Sequence, residues 1–323
     1  LCGNEHAYFM KGKVVVGSAN PETMEQFLED DDLVIMGKWC ISLFHICRFC
    51  DKIERMKIRG KKCEVSMKDL IVVRGGGDIA TGTIYKLKKC GFSVLILEIA
   101  HPSAIRRNVA FSEAVYEGHS KVEDMECFLA KDEDEAEHFL KENKLTMLID
   151  PNGNCLKRFK PVAVVDAILA KKNLGTTRDM APITIALGPG FTAGQDCDAV
   201  VETMRGHKLG RVIHEGKAIA NTGVPGMIGG YAAERVIHAP VAGILHNIAK
   251  ITDIVEEGQP IAWIEGADGT RTEVPASLSG LLRGLIREGY PVTKGFKMAD
   301  IDPRLNEYEN CFTISDKARC IAG

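Results

Sequence analysis

The 323-residue sequence predicts an α/β fold in which a mostly parallel sheet domain precedes a β-rich domain. Three observations predict it. Residues 71–98 pass from an apolar run through a glycine cluster and an amphipathic stretch to a second apolar run. Apolar runs then alternate with helical segments as far as residue 187, as parallel sheets with helical crossovers require. Residues 236–302 carry an internal repeat of short strands and glycine turns, a β-rich pattern.

The glycine cluster fits the G-x-G-x-x-A form of the dinucleotide fingerprint at Gly75, Gly77 and Ala80. Gly75 permits the tight strand-to-helix turn, Gly77 lets a phosphate approach the backbone, and Ala80 allows close helix–strand packing. The free N–H groups of the helix start would face an anion, beside Gly76 and Thr81. Glu98 follows at the spacing where an acid meets a ribose hydroxyl. This is a Rossmann-like expectation. Two readings of the loop stand: a nucleotide site, or another anion site or empty turn. Asp78 weighs against a bare pyrophosphate, since like charges repel in low dielectric.

Further along, residues 114–119 read as a short strand, 132–143 as an acidic helix, and 145–149, 162–167 and 183–187 as strands. Asp150 and Asp166 sit near strand ends, where acids reach a site or initiate turns. A second glycine loop runs from Gly188 through Gly190 to Gly194. It is either an anion cradle or a tight connection needing positive φ. Then come Glu202, Arg205, His207 and Arg211. Arginine forks suit phosphate or carboxylate, and a histidine exchanges protons near neutral pH. Glu202 and His207 are therefore the catalytic candidates, with a buried Glu–Arg pair as the structural alternative. Cys197 reads as a small buried residue or a thiolate.

The repeat has an offset of 37. Ala239, Gly243, Leu245, Val255, Gly258, Ala262 and Ile264 recur as Ala276, Gly280, Leu282, Val292, Gly295, Ala299 and Ile301. The pattern resembles the barrel-sandwich hybrid of biotinyl and lipoyl carriers. The hairpin between the halves, 265–271, has no lysine, so a structural module or binding lid is expected and not a swinging arm.

These features divide the chain into residues 1–66, 67–235, 236–304 and a C-terminal tail at 305–323. Met67 directly precedes the first strand, as a start codon would, so residues 1–66 read as an extension, a small α/β fragment or a gene-model artefact. Lys13 to Gly17 and Leu33 to Met36 look like strands, and Asn20 to Leu28 like a short helix. Cys47 and Cys50 with His45 form either a zinc half-site or an apolar helix with free thiols. No metal is expected. A net charge of −3 gives no basic excess for nucleic acid. Scattered cysteines point to a reducing, cytoplasmic setting, and no apolar run is long enough to span a bilayer. A homo-oligomer is compatible with all of this.

Residues 67–304 resemble the YqeB-type selenium-dependent molybdenum hydroxylase system proteins, related to the Rossmann part of xanthine dehydrogenase accessory factors. The resemblance is carried by 73–82, 183–194, 201–212, 221–226, 280–286 and Asp302-Pro303-Arg304. It implies a maturation factor that handles or inserts the molybdenum cofactor (molybdopterin), with a molybdenum hydroxylase apoenzyme as partner. Gly75, Gly76, Gly77, Asp78, Thr81, Glu98, Gly188, Gly190, Arg205 and Arg211 are the expected cofactor-binding positions. The competing readings are an NAD(P)-dependent oxidoreductase and a non-catalytic partner-docking scaffold.

Overall fold

The computed structural model describes residues 6–10, 13–17, 34–35, 69–223 and 226–323. The chain divides into two compact units, Leu1–Cys63 and Glu64–Gly323. In the first, strand β1 (His6–Met10) pairs antiparallel with β2 (Lys13–Gly17) on one side and β3 (Val34–Ile35) on the other. The expected helix at 20–28 and the Cys47/Cys50 pair lie outside the described residues.

The second unit is built on one nine-stranded sheet. Its strands are β4 (Leu70–Arg74), β5 (Ser93–Glu98), β6 (His119–Val122), β7 (Met125–Ala130), β8 (Leu145–Ile149), β9 (Ala163–Asp166), β10 (Thr184–Leu187), β11 (Ala199–Val201) and β12 (Val212–Ile213). Their order is β12-β11-β10-β9-β4-β5-β8-β7-β6. The six strands from β11 to β8 run parallel. β7 is parallel to β8, while the edge strands β12 and β6 are antiparallel to their neighbours.

Strand β4 is buried along its whole length, as expected for a strand covered on both faces. Its side chains divide by alternation. Ile71 and Val73 join Val94, Ile96 and Met147 on one face, and Leu70 and Val72 join Leu95, Leu97 and Leu148 on the other. Helix α1 (Asp78–Lys89) covers the first face. A single helical turn, α2 (Ala114–Glu117), follows, and Gly118 at φ 77° ends it before β6 begins. The strand expected at 114–119 is thus a helical turn plus the first residue of a strand. The left-handed step at Gly118 separates them. Helix α3 (Glu133–Lys141) covers the second face through Ala136 and Leu140. Its N-cap Asp132 accepts a hydrogen bond from the Glu135 N–H at 2.8 Å. A short α4 (Leu156–Phe159) precedes β9.

Strands β13 (Val236–His238), β14 (Gly243–Asn247), β15 (Ile254–Val255), β16 (Pro260–Glu265), β17 (Arg271–Pro275), β18 (Gly280–Leu285), β19 (Pro291–Val292) and β20 (Lys297–Asp302) form two four-stranded sheets. Their orders are β13-β20-β18-β15 and β17-β16-β14-β19. Matched repeat residues occupy matched environments. Leu245 and Leu282, Ala262 and Ala299, and Ile264 and Ile301 are all fully buried. A Cβ on Gly243 would meet the Glu265 carbonyl, and one on Gly280 the equivalent Asp302 carbonyl.

The expected pairing of a Rossmann-like domain with a barrel-sandwich hybrid is corrected by this architecture. The large sheet is mixed and has few helices. The crossovers from β9 to β10 and from β10 to β11 contain no α-helix. The small sheets are bonded into the same compact unit: the Leu285 N–H donates to the Ile105 carbonyl at 2.9 Å, and Arg107 Nε donates to the Leu285 carbonyl at 2.8 Å. The chain closes with helix α5 (Asp316–Ala322), which returns to α1. A Cβ on Gly82 of α1 would lie 2.7 Å from the Ala318 carbonyl oxygen.

Candidate functional site

In an open parallel sheet, ligands gather at the carboxyl ends of the strands where the order reverses, here between β4 and β9. In this protein that crevice is filled by the chain itself. Arg74, at the end of β4, is 2% exposed and donates to the Pro151 carbonyl at 2.8 Å and to Thr176 Oγ1. Thr176 Oγ1 in turn donates to Asp166 Oδ2 at 2.5 Å. Burial pushes the Asp166 carboxyl upward, against the opposing pull of these contacts. Gly75, at φ 94°, passes so close to the loop after β9 that a Cβ would lie 3.0 Å from the Ala167 carbonyl oxygen and the Ile168 backbone.

The first glycine loop already holds an anion from its own chain. The Gly76 N–H donates to Glu98 Oε1 at 2.7 Å, and the Ile99 N–H to Glu98 Oε2 at 2.8 Å. Burial raises the Glu98 carboxyl above the usual range, and these two N–H groups partly offset it. Glu98 is therefore tied to its own glycine loop. Thr81 is fully buried, and its hydroxyl donates back to the Gly77 carbonyl at 2.9 Å. Around Gly77 there is open space, with nothing within 4 Å of where a Cβ would stand.

Other sequence candidates also hold loops together. Both Glu202 oxygens are taken by backbone donors, Met204 N–H at 2.7 Å and Ile219 N–H at 2.8 Å, with the side chain buried. Gly188 and Gly190 are close-packed: a Cβ on Gly190 would lie 2.7 Å from the Lys172 backbone. Asp150 accepts from the Cys155 N–H at 2.8 Å, an intrachain turn. Cys197 is fully buried, and burial pushes its thiol up to about 11. His207 and Arg211 are exposed and stand outside the cleft described next.

That cleft, of about 910 Å³, opens between the strand-end loops of the large sheet, the β13–β20–β18 sheet and the start of α5. Of the expected residues, the fold brings Asp78 and Arg205 to its wall. Seven lining residues are Arg or Lys and three are Asp, so positive charge predominates. Arg205 is committed to Asp316 through a fork at 2.7 and 2.8 Å, which holds the Asp316 carboxyl down at about 2. Arg235 and Arg283 are committed to Asp300, at 3.0 and 2.5 Å. Arg106 donates to the Asn310 carbonyl at 2.8 Å and approaches Asp78 at 3.8 Å, and burial lowers its affinity for a proton. Its Nε and that of Arg235 are buried without a hydrogen-bond partner. Lys171, Lys297 and Lys317 also line the cleft, and none makes an ion pair within 4.0 Å among the described residues. Burial, and then the neighbouring Arg205, lower the Lys317 ammonium from its usual range.

The sequence reading singled out none of Arg106, Lys171, Arg235, Arg283, Lys297 and Lys317 as site residues. One backbone signal marks this wall. Leu169 and Lys171, both lining it, have φ of 59° and 62°. Left-handed non-glycine residues persist where the surroundings enforce them, often at functional sites. Apolar side chains, among them Ile79, Ile105, Leu169 and Ile219, alternate with the charges. Among the described residues, no group of three or more His, Cys, Asp and Glu is placed to hold a metal ion. No helix among them is long and apolar enough to cross a membrane.

No family model matches the chain. It is 49% identical over 263 residues to "Uncharacterized protein YqeB" of Escherichia coli (strain K12), a match covering 81% of this chain and 48% of that protein. The chain thus spans about half the length of the curated relative it matches. Among solved structures, a succinylglutamate desuccinylase/aspartoacylase from Rhodobacter sphaeroides matches at TM-score 0.20 and 24% identity, over 21% of this chain and 22% of that one. The product-bound ectoine utilization protein EutE (DoeB) from Ruegeria pomeroyi matches at TM-score 0.21 and 11% identity, over 72% and 57%. Likenesses this low carry no argument about this chain's fold or chemistry.

These findings correct the molybdenum-hydroxylase reading. The matched relative's description assigns it no activity, and none of the proteins named above is described as a molybdenum hydroxylase or xanthine dehydrogenase accessory factor. That reading is withdrawn. The dinucleotide-oxidoreductase alternative is withdrawn with it, because Glu98 occupies the loop it would have to leave.

Proposed function

We propose that residues 64–323 form a binding unit for an anionic small molecule of cofactor size, taken up in the cleft at the strand ends. The observation that supports this is the cationic excess around a cleft of about 910 Å³. Its volume lies within the range of small-molecule sites, roughly 300–1,000 Å³. Like-signed charges gathered in a concave, low-dielectric wall repel one another and concentrate counter-ions. The apolar side chains between them suit a ligand with an apolar or ring body as well as a charged group. A cytoplasmic setting is part of the proposal, supported by the free thiols of Cys90, Cys127, Cys155, Cys197, Cys311 and Cys320.

The test is thermal unfolding of the protein with matched anionic, neutral and cationic small molecules. A ligand at a hundredfold excess over its Kd stabilises by about 2.7 kcal/mol. Anions alone are expected to raise Tm, and the effect is expected to vanish in Lys297→Glu/Lys317→Glu. Equal responses to all three classes, or an anion effect that survives the double substitution, would refute the reading.

A further inference from the structure

The chemistry of the unpaired cations narrows the ligand class, resting on the reading of the cleft as an anion site. Planar carboxylates are best held by arginine forks, which offer two parallel donors. Three of the four arginine forks on this wall are engaged by carboxylates, and the fourth, Arg106, donates to the Asn310 carbonyl and lies 3.8 Å from Asp78. Arg205 grips Asp316 with both terminal nitrogens, Arg283 reaches Asp300 and Asp302, and Arg235 reaches Asp300 and the Gly226 carbonyl. Among the described residues, the lining cations without an ion pair are all lysines, and they come from three separate elements. Lys171 lies in the loop after β9, Lys297 begins β20, and Lys317 lies in the first turn of α5.

Each of these positions is mechanically held. The backbone around Lys171 is clamped between Gly75, which abuts Ile168, and Gly190, which abuts Lys172. The left-handed φ of Leu169 and Lys171 is the conformation this clamp enforces. Lys297 is fixed by the pairing of β20 with β13. Lys317 is fixed by the seat of α5 on Gly82 and by the Asp316–Arg205 fork. Arg205 and Lys297 repel the Lys317 ammonium, and Asp78 and Asp316 attract it. Three lysines on one cleft wall, none in an ion pair within 4.0 Å among the described residues, suit an anion with more than one charge spread over several oxygens. They act as point charges and demand no planar partner.

We infer that the cleft takes a phosphate ester or diphosphate bearing at least two negative charges, held jointly by Lys171, Lys297 and Lys317, while Arg106, 3.8 Å from Asp78, offsets the repulsion of that carboxylate.

The experiment is isothermal titration of the 323-residue protein with two probes, inorganic pyrophosphate and citrate, at low and high salt. Pyrophosphate is expected to bind more tightly than citrate. Lys171→Gln, Lys297→Gln and Lys317→Gln are each expected to weaken pyrophosphate by about tenfold, the scale of one charge-assisted hydrogen bond. Lys131→Gln, an exposed position outside the cleft, is expected to leave it unchanged. Circular dichroism melts of each variant separate lost affinity from lost folding. Citrate binding more tightly than pyrophosphate would overturn the phosphate class and leave the anion cleft standing. Pyrophosphate binding indifferent to all three lysines would overturn the assignment of residues. Failure of both probes in a folded protein would overturn this inference and the anion cleft together.

Discussion

The seat of α5 on α1 is where packing and site meet, and Gly82→Ala probes it. Two effects oppose each other. In a free helix interior, replacing glycine by alanine stabilises by about 1 kcal/mol. Here the new Cβ would stand 2.7 Å from the Ala318 carbonyl oxygen and 2.8 Å from the Ala318 Cβ. The obstacle is helix backbone, so relief requires α5 to move as a body. Overpacking of this kind costs about 1–3 kcal/mol. The steric term is the larger, so the expected net change is a loss of roughly 0–2 kcal/mol. Moving α5 also carries Lys317 and Asp316 out of place, although Gly82 itself does not line the cleft. Pyrophosphate affinity should therefore fall by about tenfold, as if Lys317 had been removed. Adding Ala318→Gly removes the Cβ contact but not the carbonyl contact, and should restore only part of both losses. The assays are urea denaturation and titration calorimetry. A Gly82→Ala protein that is more stable by about 1 kcal/mol, with unchanged affinity, would refute the reasoning, because helix propensity would then be the only effect present.

Three further outcomes are expected. Glu202→Ala strands two backbone donors at a buried position and should destabilise by about 2–5 kcal/mol in chemical denaturation, whereas exposed His207→Ala should stay within about 0.5 kcal/mol. Leu245→Ala and Leu282→Ala, at equivalent fully buried repeat positions, should each cost about 2–5 kcal/mol in the same assay and agree within about 1 kcal/mol. The Asp316 carboxyl is held at about 2, below its ordinary 3.8, by the Arg205 fork. Its contribution is therefore complete above the ordinary carboxylate range and is lost as pH falls from there through about 2. Because the side chain is mostly exposed, solvent screening keeps that contribution small. Asp316→Asn should flatten this part of an acid titration of Tm, and an unchanged acid limb would contradict it.

Local order was largely legible in the sequence. The strand expected at 145–149 is β8, residue for residue, and the acidic helix begins behind its Asp132 cap. Each rests on neighbours in the chain: alternation of apolar side chains, or a side chain reaching an N–H three residues on. The repeat at offset 37 is equally local in origin, since each half places its alanine, leucine and isoleucine in the same environment. The strand misread at 114–119 failed on one left-handed glycine.

The site was legible only in part, for a physical reason. A glycine loop shows in sequence that a backbone bends tightly. It does not show whether an external anion or a side chain of the same protein, here Glu98, will occupy the N–H groups. Glu202 had the residue type of a catalytic acid, yet its oxygens are spent on two backbone donors that only the folded loops bring within reach. Lys171, Lys297 and Lys317 had no local mark at all, because a lone lysine is usually a solvated surface charge. The sequence by itself determined where strands, turns and the repeat would form, since those depend on residues a few positions apart. Only the tertiary structure decided which charges would share a cleft, because its wall is made of segments far apart in sequence that meet solely through the fold.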